Sequence, residues 1–373
     1  MTADPILLTP GPLTTSATVK QAMLKDWGSR DAAFIQINAD IRRRLPELAG
    51  AMETHVAVPM QGSGTFAVEA MIGTLVPPDG KLLVLVNGAY GQRMLRIARV
   101  IGLETAAIEA PEDQPVSAYA LDKALAADPA ITHVAVVHCE TTSGVLNPLA
   151  EVADVTARHG RALLVDSMSA FGALPVDARD IPFQALAASS NKCLEGAPGV
   201  GFVIVERKAL AAAEGNAHSL SLDLCDQWKA LEANGQWRFT PPTHVLAAFH
   251  QALAEHAAEG GVEGRGRRYR DNCAELVSGM RALGFETLLP DAAQAPIIVT
   301  FRMPADPRFV FADFYDRLRE RGFVIYPGKL TVADSFRMGC IGRIDRNDIR
   351  RALAAVAAVM AEMGAASGAP AAA

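Results

Sequence analysis

The sequence predicts an α/β protein in which a large domain, with a mostly parallel sheet flanked by helices, precedes a smaller α+β C-terminal domain. From about residue 55 to 205, short apolar runs alternate with stretches of helical periodicity, as they do in a parallel sheet with crossover helices. The chain has 373 residues, half of them apolar, which suits one large core and a smaller one. We expect an N-terminal arm and the large domain in residues 1–253, the small domain in 254–363, and a disordered tail of small residues in 364–373.

The alternation places the elements of the large domain. The predicted strands are 55–58, 81–87, 133–138, 162–166, 185–189 and 201–205, and the predicted helices between them are 65–75, 91–101, 121–127 and 149–159. Crossover connections of this kind are right-handed, and ligands bind outside the carboxyl ends of the strands. A functional site is therefore expected in the loops that follow the strands.

The remainder of the chain has the pattern of the smaller domain. A long helix at 245–258 leads into it, and further strands are predicted at 296–301, 324–326 and 335–338, with helices near 311–321 and 346–363. Another helix, ending at 283, opens with a basic run, namely Arg265, Arg267, Arg268 and Arg270. We interpret that run as a solvated helix face.

Composition argues against several classes of protein. The net charge of −6 gives no sign of nucleic acid or of an anionic membrane as a partner. No apolar stretch reaches the roughly 18 uncharged residues of a spanning helix, and residues 1–12 lack the pattern of a leader peptide, so a cytoplasmic protein is expected. The five cysteines are scattered without paired metal spacing. We expect reduced thiols and no metal site.

An aspartate and a lysine 26 residues apart suggest chemistry. Asp166 ends the predicted strand 162–166, and Lys192 follows the strand 185–189 in a loop of small and polar residues. A lysine can form a Schiff base with pyridoxal phosphate, and an aspartate can keep the pyridine nitrogen protonated so that the ring withdraws electrons. Because such residues occur in many α/β proteins, the pair alone does not establish a cofactor site.

A glycine-rich segment, Gln61-Gly62-Ser63-Gly64-Thr65, follows a strand and opens a helix. Glycines there allow backbone N–H groups to approach a phosphate, and the helix N-terminus adds positive potential. The segment lacks the lysine of a P-loop and the spacing of a dinucleotide site. Ser63, Gly64 and Thr65 are candidate phosphate ligands, although a purely structural helix start would look the same.

Polar residues also follow two other strands. Tyr90 comes after the strand 81–87, where its ring could stack on a flat heteroaromatic group or simply pack. Thr141 follows the strand 133–138 and is a candidate partner for a ring oxygen, because polar groups next to a buried strand need partners. His138 could be a base, but a neutral core histidine is the favoured interpretation.

Two later segments carry further candidates. Arg337 lies in an otherwise apolar strand, where a guanidinium needs an anion, either an internal carboxylate or a substrate group. Thr240 lies between Trp237 and two prolines that fix an extended turn. That turn could reach a partner subunit or could only start the next helix.

Taken in order along nearly the whole chain, these segments closely resemble the 2-aminoethylphosphonate:pyruvate aminotransferases, a branch of the class V, fold type I pyridoxal phosphate enzymes. The segments that carry the resemblance are residues 8–14, 61–65, 87–91, 139–144, 165–168, 191–193, 238–240, 326–329 and 336–337. The phosphate-loop, aspartate and lysine segments are shared with alanine:glyoxylate and serine:pyruvate aminotransferases. Residues 8–14, 326–329 and 336–337 together favour the phosphonate branch.

The resemblance implies a role for each candidate and a homodimer. Lys192 and Asp166 would be catalytic; Ser63, Gly64, Thr65, Tyr90 and Thr141 would hold the cofactor; Thr240 would contact the partner subunit's cofactor; and Arg337 would bind the substrate anion. The implied reaction converts 2-aminoethylphosphonate and pyruvate into phosphonoacetaldehyde and alanine. Alternatives are an alanine:glyoxylate or serine:pyruvate aminotransferase, a cysteine desulfurase, and a non-catalytic module that binds a phosphorylated ligand.

Overall fold

A mixed sheet of seven strands forms the centre of the large domain. The computed structural model describes residues 4–330 and 333–371. The strands are β1 (Ile6–Leu7), β2 (His55–Gln61), β3 (Lys81–Val86), β4 (Glu104–Glu109), β5 (Ile131–Val137), β6 (Cys139–Glu140), β7 (Val145–Leu146), β8 (Ala162–Asp166), β9 (Ala185–Ser189), β10 (Val200–Glu206), β11 (Ile298–Arg302), β12 (Phe323–Val324), β13 (Tyr326–Pro327) and β14 (Ser335–Gly339). The helices are α1 (Ala17–Gln21), α2 (Ala32–Leu48), α3 (Gly64–Leu75), α4 (Ala89–Val100), α5 (Ala118–Ala127), α6 (Leu149–Arg158), α7 (Arg207–Ala212), α8 (Leu224–Asn234), α9 (Thr243–Ala258), α10 (Gly261–Ala282), α11 (Phe311–Glu320) and α12 (Arg346–Met363), with a 3₁₀ turn at Ala22–Leu24.

The strand order in the large sheet is β2-β10-β9-β8-β5-β3-β4. β10 runs antiparallel to both of its neighbours, and the other four neighbouring pairs are parallel. The predicted α/β class with a mostly parallel sheet is thereby confirmed. The edge strand β4 is absent from the predicted strands, because its sequence has a glutamate at each end and none of its six residues is fully buried.

Both faces of the sheet are buried. Leu83 of β3 joins an apolar cluster with side chains of α2 and α6, whereas Leu82 and Val84 join a second cluster with side chains of α3 and α4. This alternation is the geometry of a strand between two layers of helices. Within the described parts of the chain, no helix is long and apolar enough to cross a bilayer.

The small domain is built on the antiparallel sheet β11-β14-β13, with α10, α11 and α12 packed around an aromatic core. Phe285 and Phe336, both buried, lie in edge-to-face contact at 5.7 Å between ring centroids. Residues of the N-terminal arm also contact this domain. β1 pairs in parallel with β12, and Leu8 is fully buried in the small-domain core.

The tail after α12 differs from the prediction of disorder as far as residue 371. Gly364 ends α12 in a left-handed conformation, with φ 67°. The chain then turns back on the small domain, where the Gly368 amide donates to the Leu283 carbonyl at 3.0 Å and the Ala305 amide donates to the Ala369 carbonyl at 2.8 Å. Small residues allow this close return, because a side chain on Gly368 would overlap Phe285. Ala372 and Ala373 lie outside the described residues.

A buried ion cluster joins the two domains, and it corrects the interpretation of the basic run. Arg265 is 1% exposed; its Nε lies 2.8 Å from Glu259, and its guanidinium donates to the carbonyl of Cys193, next to Lys192. Arg268 pairs with Glu259 at 2.7 Å and with Glu195 at 2.8 Å. The other two arginines of the run, Arg267 and Arg270, are exposed and fit the predicted solvated face, and the pair of Arg267 with Glu263 is exposed too.

Candidate active site

Loops at the carboxyl ends of the parallel strands surround a cavity of about 520 Å³, which is within the range of small-molecule sites. Six of the nine predicted site residues line it, namely Ser63, Gly64, Thr65, Tyr90, Asp166 and Lys192. Thr141 and Arg337 do not line it, but both interact with Tyr90, which does. The structure does not bring Thr240 to this cavity.

Lys192 enters the cavity from the loop after β9 and is partly buried. Its Nζ donates to the carbonyl oxygens of Pro10 at 2.9 Å and Gly11 at 3.3 Å. Gly11 has φ +115°, and a Cβ there would stand 2.5 Å from the lysine Cδ, so only glycine allows this approach. Burial lowers the pKa of Lys192 from its ordinary value. A larger share of the amine is therefore neutral and able to act as a nucleophile or base.

Asp166 ends β8 at the floor of the cavity and is 5% exposed. Its Oδ1 accepts from the Met168 amide at 2.9 Å. Burial raises the pKa of Asp166 to about 6; the Met168 hydrogen bond opposes that rise, and the nearby Glu140 charge adds to it. Among the described residues, no cation forms a salt bridge with this carboxyl group. A protonated ring nitrogen in the cavity would be a suitable partner.

The N-terminus of α3 forms one wall. Ser63 is the N-cap residue but makes no capping hydrogen bond with its side chain, so its hydroxyl and the first amides of α3 can serve a ligand. Gly62 has φ +123°, and a Cβ on Gly64 would overlap the Met168 thioether. Arg93, which was not among the predicted site residues, donates from Nη1 to Thr65 Oγ1 at 3.1 Å. This wall therefore presents amides, hydroxyls and a cation, which are the groups that bind a phosphate dianion.

Tyr90 is held by Glu140, another residue that was not predicted. Glu140 is fully buried, and its Oε2 accepts from the amides of Tyr90 at 3.1 Å and Gly91 at 3.3 Å at the N-terminus of α4. Burial alone would raise the pKa of Tyr90, but the charges of Lys192 and Lys329 and a hydrogen bond with the Thr141 side chain lower it below its ordinary value. The ring therefore lies where several cations converge.

Arg337 is 6% exposed in β14, opposite Tyr326 of β13. Its Nη1 donates to the Thr141 carbonyl at 2.8 Å, and its Nε donates to the Pro327 carbonyl at 3.1 Å. Burial lowers the pKa of Arg337. No carboxylate of the described residues forms a salt bridge with it, so of the two partners that the sequence left open, the internal carboxylate is not present there.

Two other candidates lie outside the catalytic geometry. His138 is 5% exposed, its Nδ1 lies 3.1 Å from Ser167 Oγ, and burial lowers its pKa to about 4, so it is a neutral core histidine at physiological pH. Thr240 is exposed and lines a separate cavity of about 320 Å³ that also includes Arg30. In this single chain, Thr240 therefore has no contact with the lysine site.

Comparison with known proteins identifies the family of this chain. The family model for aminotransferase class-V matches residues 17–338. The chain belongs to the class-V aminotransferases, which are pyridoxal phosphate-dependent enzymes of fold type I. The alanine–glyoxylate aminotransferase of a Nostoc species superposes with a TM-score of 0.90 at 24% identity, covering 96% of each chain.

Relatives with higher sequence identity carry the name of a single activity. The 2-aminoethylphosphonate–pyruvate transaminase of Pseudomonas entomophila is 57% identical over 97% of this chain and 99% of its own length. The enzyme of the same name from Pseudomonas aeruginosa is 55% identical over 96% and 97%. The pyridoxamine–pyruvate aminotransferase of Mesorhizobium loti superposes with a TM-score of 0.89 at 25% identity, covering 97% of this chain and 93% of that one.

Proposed function

We propose that this chain transfers the amino group of 2-aminoethylphosphonate to pyruvate, giving phosphonoacetaldehyde and alanine. The observation that carries the proposal is the buried guanidinium of Arg337, held by two carbonyl groups beside the lysine cavity and without a carboxylate of its own among the described residues. Each substrate carries an anionic group near its reacting carbon, the carboxylate of pyruvate on that carbon and the phosphonate of the donor on the next one, so one such arginine serves each in turn. The relatives at 55–57% identity, which carry this activity in their names, support the same reading.

The residues around the cavity fit pyridoxal phosphate. Ser63, Gly64 and Thr65 would hold the phosphate at the start of α3, assisted by Arg93. Tyr90 would lie against the cofactor ring, with Thr141 at the edge of that ring. The carboxylate of Asp166 would accept a hydrogen bond from the ring N–H. The bound cofactor supplies an aldehyde that accepts the amino group and a ring that withdraws electrons.

Lys192 would provide the proton transfer. Burial lowers the pKa of its amine, so a larger share of the amine is neutral and can take a proton from the substrate carbon that bears nitrogen. The same amine would then donate a proton to complete the transfer. Asp166 keeps the proton on the ring nitrogen during this step. Arg337 binds the phosphonate of the donor and then the carboxylate of pyruvate, which fixes the reacting carbon beside Lys192 and predicts ping-pong kinetics.

We infer that the working unit is a homodimer. Thr240 lies outside the cavity of its own chain but next to exposed aromatic surface, since Phe66 and Phe239 are 49% and 52% exposed and Leu220 is 75% exposed. Phe66 is on α3, directly after the residues assigned to the phosphate, so this apolar surface is continuous with the active site. A second copy packed here would bring its Thr240 toward the phosphate wall. Sedimentation of the holoenzyme tests the inference, and a monomer with full activity would contradict it.

A cytoplasmic location is part of the same proposal. All five cysteines are free and buried, which is the usual state in a reducing compartment. Cell fractionation with an antibody against the chain tests this assignment.

The decisive experiment is a donor screen. The protein loaded with cofactor is expected to consume 2-aminoethylphosphonate with pyruvate and to form alanine, and Lys192→Ala is expected to lose turnover while it still binds cofactor. Lys208→Ala, at an exposed lysine, is the control and should stay active. Turnover of serine or alanine with glyoxylate, without phosphonate turnover, would favour the rival aminotransferases. A protein that stays colourless with pyridoxal phosphate, and that borohydride does not label at Lys192, would indicate a non-catalytic module.

A further inference from the structure

A second cation stands over the same tyrosine as the arginine site. Lys329 lies two residues beyond Pro327, and its Nζ is 4.2 Å from the centroid of the Tyr90 ring. It is half-buried, and among the described residues no carboxylate forms a salt bridge with it. Its charge lowers the pKa of both Tyr90 and Lys192, although burial and other groups have larger effects, which places its ammonium group close to the reaction centre. A cation–π contact holds the ammonium in place without neutralising it.

Backbone geometry ties Lys329 to Arg337. Tyr326 is the register partner of Arg337, and the Pro327 carbonyl accepts from Arg337 Nε. The Gly328 amide then donates to the Ser335 carbonyl at 2.9 Å, which continues the pairing of the two segments up to the residue before Lys329. Both cations also interact with Tyr90, which lines the cavity: Lys329 through its cation–π contact and Arg337 through the electrostatic effect of Tyr90 on its pKa.

The donor's anion requires more than Arg337 can offer. A guanidinium has five N–H donors, and at least two of those of Arg337 are used by the carbonyls of Thr141 and Pro327. The remaining donors match the two oxygens and single charge of a carboxylate. A phosphonate has three oxygens and, like a phosphate, loses its second proton at a pKa of about 6. One oxygen and about one negative charge remain to be bound.

We propose that Lys329 is a specificity-determining residue that binds the third oxygen and second charge of the donor phosphonate, so that the site prefers a phosphonate to a carboxylate. The inference rests on the proposed function and identifies the residue that distinguishes its two substrates. Arg93 does not compete for the role. Its guanidinium is 4.8 Å from the same ring, but it is hydrogen-bonded to Thr65 on the phosphate wall.

The test compares the two half-reactions in holoenzyme variants. In Lys329→Gln, kcat/KM for 2-aminoethylphosphonate should fall about 10- to 100-fold, mainly through KM, because a hydrogen bond to a charged group is lost. For alanine in the reverse half-reaction, kcat/KM should change less than about threefold. Lys329→Arg should recover most of the phosphonate activity, and ethylphosphonate should lose affinity as a competitive inhibitor where propionate does not.

The matched control replaces another lysine that also lies over a tyrosine ring but is away from the cavity. Lys123 Nζ lies 4.8 Å from the Tyr119 ring on the surface of α5, so Lys123→Gln loses a cation–π contact away from the cavity and should leave both half-reactions unchanged. The cofactor absorbance of Lys329→Gln verifies that its site is intact. Equal losses for phosphonate and alanine would mean that Lys329 acts through Lys192 or Tyr90, and unchanged kinetics would mean that it has no role; either result overturns the inference. Failure of the wild-type enzyme to use 2-aminoethylphosphonate would instead refute the proposed function.

Discussion

Replacing Asp166 with asparagine is expected to stabilise the cofactor-free protein at neutral pH while it impairs transamination. Burial raises the pKa of Asp166 from 3.8 to about 6. Between those two pH values the folded protein keeps a proton that the unfolded chain releases, so the free energy of unfolding falls as the pH rises from about 4 to about 6. At about 1.4 kcal/mol per pKa unit, the full cost is about 3 kcal/mol at pH 7.

The assay is urea unfolding of both cofactor-free proteins from pH 4 to pH 8. The amide of Asp166→Asn carries no charge to desolvate, so the two proteins should be similar in stability near pH 4 and differ by up to about 3 kcal/mol at pH 7, with the variant more stable. Asp154→Asn is the control, because this carboxylate is 72% exposed in its pair with Arg158. We also expect turnover of the loaded Asp166→Asn enzyme to fall at least about 100-fold, since the charge partner of the ring nitrogen is lost.

One result would refute this reasoning. If the difference in unfolding free energy between wild type and Asp166→Asn stays constant from pH 4 to pH 8, Asp166 does not carry the cost assigned to its burial. A variant that is less stable than wild type at every pH would instead show that the carboxylate has a stabilising partner in the folded protein.

Two further predictions concern the surroundings of the lysine. Glu195→Gln should destabilise the protein by about 3 kcal/mol or more in thermal unfolding, because the buried Arg265 and the partly buried Arg268 each lose a counterion. The exposed control Glu263→Gln should cost at most about 0.5 kcal/mol in the same assay. Gly11→Ala should slow turnover with little loss of cofactor binding, because the new methyl group would press on the Lys192 side chain; a variant with normal kcat would contradict the close packing described for that loop.

Much of the large-domain fold follows from local pattern. The predicted strands 162–166 and 185–189 coincide with β8 and β9 because a strand covered on both faces is a continuous apolar run. That placement also puts Asp166 at the carboxyl end of a strand, which is why the sequence predicts a functional site there. The pattern fails for β4, whose residues are partly exposed at the edge, and for β1, whose two residues are too few to show a period.

The missed residues depend on tertiary contacts that no local pattern encodes. Glu140 is buried, and its hydrogen-bond partners are backbone amides and Thr142 rather than a cation. No pattern of residues in the sequence therefore indicates that this carboxylate is part of the site. Arg265 and Arg268 look like a solvated run because their acids, Glu195 and Glu259, are distant or lie outside the helix. The sequence shows where charged residues are, but only the folded structure shows whether their side chains are exposed to solvent.

The distribution of charge in the cavity explains how one site can orient two different substrates. Asp166 is a buried carboxylate on the floor, whereas Arg337 and Lys329 are cations on the side formed by the small domain, and each lacks an ion-pair partner among the described residues. Such groups are costly in the folded chain, and a ligand with a protonated ring and an anionic tail would relieve both ends at once. Because these charges have fixed positions, a ligand bound in the opposite orientation would place its anionic group near Asp166 and its protonated ring near the cations. The substrate anion is thereby directed toward Arg337 and its reacting carbon toward Lys192. Discrimination between the two substrates then depends on how many negative charges the cations of the small-domain side can neutralise. For this reason we expect Lys329 to affect the half-reaction of the phosphonate more than that of the carboxylate substrate.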